Sequence, residues 1–145
     1  MFKDLIIRKT HDITKPLFKM TITGEPCSKA NSRQLIPNKK TGKHISIKSN
    51  DGRNYVKSFL AQVQKRRWTN GGGGLPIKPI NCKLVMYCTS FYASERKDLD
   101  ESLVMDCLEK SKIIRNDRLI REKHVHHFID KFNPRSEIYL FARVI

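Results

Sequence analysis

Two periodicities divide the chain. Leu17-Phe18-Lys19-Met20-Thr21-Ile22-Thr23 is rich in strand formers and is closed by Gly24 and Pro26, which predicts a first strand over 17–23. His44-Ile45-Ser46-Ile47 fits a short strand. Ser49-Asn50-Asp51-Gly52 is a turn that also supplies N-cap residues, and Tyr55, Val56, Phe59, Leu60 and Val63 follow at helical spacing, so a helix is expected over 53–68. Between Pro79 and Cys88, the side chains of Ile80, Cys82, Leu84, Met86 and Cys88 alternate onto one face, the clearest strand signal in the chain. A second helix is expected over 101–112, with Leu103, Val104, Cys107 and Leu108 as its core face. Strands over 119–130 and 136–145 close the pattern, the second alternating Ile138, Leu140 and Ala142 with Tyr139, Phe141 and Arg143; Pro134 marks the turn between them. This order predicts a mixed α/β (α+β) fold, a single mixed β-sheet with two main helices.

The stretches between these elements are polar. Residues 1–15 read as a peripheral N-terminal arm and 16–145 as one domain, which the length of 145 residues accommodates. Residues 25–43 form a basic loop; its Gly42-Lys43 is not the end of a phosphate-binding P-loop, because Pro37 stands where that motif needs glycine. Thr69 to Gly74 reads as a flexible linker. Hydrophobic content of 39% fits a folded domain, and no apolar run approaches the roughly 20 residues needed to span a membrane. The apolar stretch at the N-terminus is too short for a secretory signal. Cys27, Cys82, Cys88 and Cys107 show no zinc-ligand spacing; they read as reduced thiols of an intracellular protein, with Cys82, Cys88 and Cys107 in the core.

Charge sharpens the picture. The formal net charge is +15, which favours a nucleic acid or an anionic membrane as partner. Nucleic acid is preferred, because the basic residues are spread over loops and helices rather than along one amphipathic helix face. Candidate DNA contacts are Lys29, Arg33, Lys39, Lys40 and Lys43 in the first loop, Lys65, Arg66 and Arg67 at the end of the first helix, and Arg96 and Lys97. The three at the helix end also suit the negative end of its dipole, and either role accounts for them. Acids are distributed differently. Residues 1–94 hold four (Asp4, Asp12, Glu25, Asp51) against 18 Lys and Arg, whereas residues 95–122 hold eight of the 14. Within that cluster lies Asp98-Leu99-Asp100. In an extended segment the two carboxylates point the same way and can reach one hard cation such as Mg²⁺; the competing reading is a solvated pre-helix loop with Asp100 as N-cap.

These landmarks, taken in order, resemble the RusA family of Holliday junction resolvases of bacteria and their phages. The similarity runs from about Lys19 to the C-terminus. A strand is followed by Gly24-Glu25-Pro26-Cys27-Ser28-Lys29 and then Arg33; Asp98 and Asp100 follow a central strand; Asp106-Cys107-Leu108 lies on the next helix; Asn116-Asp117-Arg118-Leu119-Ile120 is an acidic turn before a strand. The resemblance implies a homodimeric, RusA-like, Mg²⁺-dependent crossover junction endodeoxyribonuclease, with Mn²⁺ as a substitute metal, working on branched DNA in recombination and repair in the bacterial cytoplasm. It implies Asp98, Asp100 and Asp117 as catalytic, metal-binding carboxylates. Two features depart from the family. Its Asn-Leu-x-Lys continuation is replaced by Glu101-Ser102-Leu103-Val104, so the family lysine has no counterpart beyond Lys97, and Asn116 takes the first place of an Asp-Asp turn.

A geometric difficulty accompanies that assignment. A helix of about 12 residues is about 18 Å long and separates Asp100 from Asp117. Either the helix is shorter and the chain turns back, or Asp117 serves the site of a dimer partner. Two other functions remain open: a non-catalytic basic nucleic-acid-binding protein with structural acids, and a general structure-selective nuclease acting on flaps or forks. His124 and His126 share a strand face without the further ligands of a zinc site. Trp68 is expected to pack at its helix end rather than stack on an unpaired base, and Asp106 to lie on the solvated side of its helix. Glu101 fits both a first-turn acid and an auxiliary metal ligand.

Overall fold

The structure, a computed structural model, describes residues 9–28, 33–48, 50–69, 74–97 and 99–145. Its elements are β1 (Phe18–Thr23), β2 (Arg33–Pro37), β3 (His44–Lys48), α1 (Asn50–Trp68), β4 (Leu84–Tyr92), α2 (Ser102–Lys110), a 3₁₀ turn (Asp117–Leu119), β5 (Ile120–Ile129) and β6 (Arg135–Ala142). Four strands form one mixed sheet in the order β1-β6-β4-β5, in which β4 and β5 run parallel and the other neighbours antiparallel. The expected mixed sheet with two helices is therefore present. A separate two-stranded hairpin, β2-β3, is added to it. It corrects the reading of 25–43 as loop throughout: Arg33–Pro37 becomes a strand because His44–Lys48 pairs with it, and pairing across a six-residue turn leaves little local signal.

Alternation in the strands and the 3.6-residue period of the helices meet on one sheet face. Phe18, Ile22, Leu84, Met86, Cys88, Ile138 and Leu140 from the strands bury against Val56, Phe59 and Val63 of α1 and Leu103, Val104, Cys107 and Leu108 of α2. Tyr55 is buried with them and its hydroxyl is 3.2 Å from that of Ser136, so the polar groups enclosed there are paired. The opposite face carries Val85, Tyr87, Phe91, Tyr139 and Phe141, partly covered by His11 of the N-terminal arm, whose ring packs against Tyr87 and Phe141.

Several boundaries move. The central strand begins at Leu84, not Pro79; Ile80 makes only an isolated bridge to Ile114, and residues 81–83 have no partners on both sides to hold them in the sheet. Cys82 is consequently exposed, against the expectation of a core thiol, whereas Cys88 and Cys107 are fully buried and burial pushes the Cys88 thiol up to about 11. The second helix covers only Ser102–Lys110, and Lys112 takes a left-handed conformation, φ 62°, where the chain reverses. Trp68 does not pack: it is 78% exposed. At 100° per residue it lies about 140° round α1 from Val63, far from the buried stripe.

Phe59→Ala should destabilise the protein by about 3–5 kcal/mol, because a wholly buried ring leaves a cavity between α1 and the sheet. Trp68→Ala should change stability by less than about 0.5 kcal/mol. Urea denaturation of both variants checks the pair.

Candidate functional site

The chain leaves the sheet beside the core at two places that come together. Gly24, at φ 110°, turns the chain out of β1, a conformation that side-chain-bearing residues rarely adopt. The turn is held by the Gly24 amide donating to the Pro134 carbonyl at 3.0 Å. Gln62 of α1 accepts from the Thr23 amide at 2.9 Å and donates to the Thr23 carbonyl at 3.0 Å, fixing the end of β1 to the helix. The next residue, Glu25, accepts from the Ala93 amide at 3.0 Å. This bond joins the loop after β1 to the loop after β4, and the second loop carries Asp98 and Asp100.

That second loop is fastened on both sides of Asp98. The His127 ring nitrogen lies 3.2 Å from the Lys97 carbonyl oxygen. The same ring stacks on Tyr92 at 4.7 Å, and the Tyr92 hydroxyl accepts from the backbone amide of Asp100. Burial pushes the Tyr92 hydroxyl upward, which keeps it neutral. The Asp100 carboxylate accepts from the Ser102 amide at 2.9 Å and so caps the first turn of α2, although the N-cap position itself falls on Glu101. A carboxylate has about four acceptor sites, so capping and cation binding are compatible. Asp98 lies outside the described residues.

Asp117 is placed elsewhere. Its backbone amide donates to the Glu109 carboxylate at 3.1 Å, near the last turn of α2, and Asn116 caps the 3₁₀ turn by accepting from Arg118 at 2.8 Å. Asp100 and Asp117 thus stand at opposite ends of the nine-residue α2, about 13 Å long. A carboxylate oxygen binds Mg²⁺ at about 2.1 Å, so within one chain these two do not close on the same ion. The helix is shorter than expected and the chain does turn back, yet the turn delivers Asp117 to the far end. Among the described residues, no three His, Cys, Asp or Glu side chains gather in a metal-binding group.

Several of the remaining acids and histidines have identifiable partners. Glu101 pairs with Lys123 at 2.6 Å. Asp106 is half-buried and engaged rather than on a solvated helix side. His124 and His126 share the open sheet face, and His127 faces the other way. His124 stacks on Tyr87 at 4.3 Å and approaches Glu122 at 3.7 Å. Thr10 donates to Glu122 at 2.6 Å, and this bond, with the nearby His124 and His11, holds the Glu122 carboxyl below the usual glutamate range.

The basic candidates divide into two groups. Lys39, Lys40 and Lys43 on the β2-β3 hairpin, Lys65 on α1, and Arg96 and Lys97 before Asp98 are all exposed. Arg66 and Arg67 are half-buried, donating to the Lys19 carbonyl at 2.8 Å and the Ser111 carbonyl at 3.0 Å, so both tie α1 to its neighbours. Lys29 and the Arg33 side chain lie outside the described residues. The anchoring roles of Glu25, Tyr92 and His127 are not legible in the sequence, because each acts through a bond to distant backbone.

No protein-family model matches this chain, and no curated protein does. No helix among the described residues is long and apolar enough to cross a membrane.

The bonds to Glu122 set a test of the N-terminal arm. A carboxyl lowered below its ordinary value of 4.5 contributes stability that is fully present above that value and lost as pH falls through the lower folded value. The Val144 amide donates to the Thr10 carbonyl at 2.8 Å. Its hydrogen-exchange protection should therefore drop on the acid side of 4.5 in the native protein. In Glu122→Gln that step should disappear, and an unchanged profile in the variant would contradict the assignment.

Proposed function

We propose that this chain is a Mg²⁺-dependent endonuclease of RusA type that acts as a homodimer and resolves four-way DNA junctions by paired phosphodiester hydrolysis. The reading rests on one observation above all: the segments on both sides of Asp98 are fastened to two stacked aromatic side chains of the sheet, Lys97 through His127 and Asp100 through the buried Tyr92, beside exposed basic residues. A loop that only needed to be solvated would have no use for such anchorage. A loop that presents carboxylates to a cation and a phosphate requires it, since the reacting groups must be held within a fraction of an ångström.

In this scheme Asp98 and Asp100 would hold Mg²⁺, which supplies charge neutralisation and an activated water when bound. The exposed Lys39, Lys40, Lys43, Lys65, Arg96 and Lys97 would hold phosphates, giving position without sequence information. Asp117 enters from a second copy. Its place at the far end of α2 favours a site completed across the dimer, and a two-fold axis then presents two sites to two symmetry-related strands. A non-catalytic binding protein is the second reading, favoured by the capping bond from Ser102 to Asp100, which gives that acid a structural task.

Incubating the protein with a labelled four-way junction, a flap and a linear duplex, with and without Mg²⁺, tests these readings. Cutting of the junction alone supports the resolvase, cutting of the flap as well supports a general structure-selective nuclease, and binding without cleavage in Mg²⁺ or Mn²⁺ supports the binding protein. Asp98→Asn, Asp100→Asn and Asp117→Asn should each abolish or severely reduce cleavage while junction binding stays intact or tightens, because a negative charge near phosphates is removed. A mixed dimer of Asp98→Asn and Asp117→Asn subunits should nick one strand, since one composite site is restored. An inactive mixed dimer would place all three acids of a site in one subunit.

Binding should weaken steeply with salt, by about 0.9 in log K per unit of log salt for each phosphate contact. An affinity measured by anisotropy that stays flat from low to physiological salt would exclude a phosphate-dominated interface.

A further inference from the structure

A cleft of 290 Å³ opens where the loop after β1, the first turns of α1 and the end of β4 converge. Lys97, the residue before Asp98, lines it. Cys27 in its wall feels the charges of Asp51, Lys97 and Asp100, so the cleft adjoins the candidate cleavage site, although the hydrolysis scheme makes no use of it. Burial raises the Cys27 thiol, and the nearby acids raise it further, which disfavours a nucleophilic thiolate there.

The cleft's chemistry is divided. Pro26, Tyr55 and Tyr92 supply apolar wall and floor. Asp51, Asn54 and Ser58, spaced three and four residues apart on α1, place a polar stripe along one side. Sites for drug-sized ligands run from about 300 to 1,000 Å³, so this one is at the small end and suits a single flat heterocycle. A nucleobase has the matching surfaces: apolar faces and one hydrogen-bonding edge. A carboxylate can only accept hydrogen bonds, whereas an Asn amide both donates and accepts. The edge complementary to Asp51 and Asn54 therefore carries a donor next to an acceptor, an arrangement that the hydrogen-bonding edge of every nucleobase offers.

We propose that this cleft receives one base unstacked from the DNA strand beside the phosphate to be cut, and that Asp51 and Asn54 hold its hydrogen-bonding edge. This rests on the endonuclease reading and adds a base-binding pocket to it. Unstacking costs least where bases are already unpaired or strained, as at a branch point, so the pocket would also favour junctions over continuous duplex.

The experiment uses a four-way junction with 2-aminopurine at each branch-point nucleotide in turn, without metal, so that nothing is cut. Binding of the native protein should change the emission at one symmetry-related pair of positions, and Ser58→Trp, which fills the cleft, should lose that change while still binding the junction. A second arm measures cleavage in Mg²⁺ with a natural base or an apolar isostere lacking hydrogen-bonding groups at that position. The isostere should reduce cutting by about tenfold. Asn54→Leu should shrink the difference. Thermal unfolding of each variant checks its folding, and Asn54→Leu, at nearly constant volume, serves if Ser58→Trp fails to fold. Bound junction without any emission change, a change that survives in a folded cleft-filled variant, or a base-to-isostere difference unaltered in Asn54→Leu overturns the pocket and leaves the nuclease standing. Absence of cleavage by the native protein overturns the nuclease, and the emission arm then judges the cleft alone. Absence of DNA binding overturns both.

Discussion

Parallel pairing of β4 with β5 is the constraint on which the arrangement of candidate residues depends. Two parallel neighbours cannot be joined by a tight turn; the chain must leave one end of the pair and return to the other. Here α2 makes that return journey, packing Leu103, Val104, Cys107 and Leu108 onto the sheet as it goes. Whatever precedes α2 is thereby parted from whatever follows it. Asp100 precedes it and Asp117 follows it, so their separation is built into the topology and does not hinge on side-chain rotamers.

The same sheet supplies the anchorage of the acidic loop. Tyr92 is the last residue of β4, and His127, on β5, points to the same sheet face. Because parallel register sets Ser90 opposite His127 and Tyr92 opposite Ile129, the two rings lie close enough to stack, and each holds one flank of the loop. Glu25 reaches the same region from the end of β1, two strands away from β4 in the sheet order, through the Ala93 amide. Two loops remote in sequence are thus joined at one strand end, and the cleft between them is a consequence of that junction.

Charge acts on a different scale. The net charge of +15 is a property of the whole surface and draws polyanions without specifying where they bind. Individual cations are then allotted by burial. Lys65, on the outer side of α1, remains exposed, whereas Arg66 and Arg67 flank the buried stripe and each donate to a backbone carbonyl, of Lys19 and of Ser111. A helix rotates successive residues by 100°, so three adjacent cations meet different surroundings.

Local pattern determined the core. Tyr55, Val56, Phe59 and Val63 and the four apolar residues of α2 are buried as their spacing predicts, and Leu84, Met86 and Cys88 share a face as alternation requires, because these periodicities arise from backbone geometry that each segment carries within itself. Composition determined the basic surface, and the crowding of acids into 95–122 singled out the loop around Asp98 and Asp100. Tertiary structure decided the rest. The start of β4 depends on strands that pair with it, the β2-β3 hairpin on a partner across a turn, and the exposure of Cys82 on where the sheet ends. The anchoring roles of Glu25, Tyr92 and His127, and the parting of Asp117 from Asp100, follow from contacts between residues far apart in the chain, for which no local periodicity exists to be read.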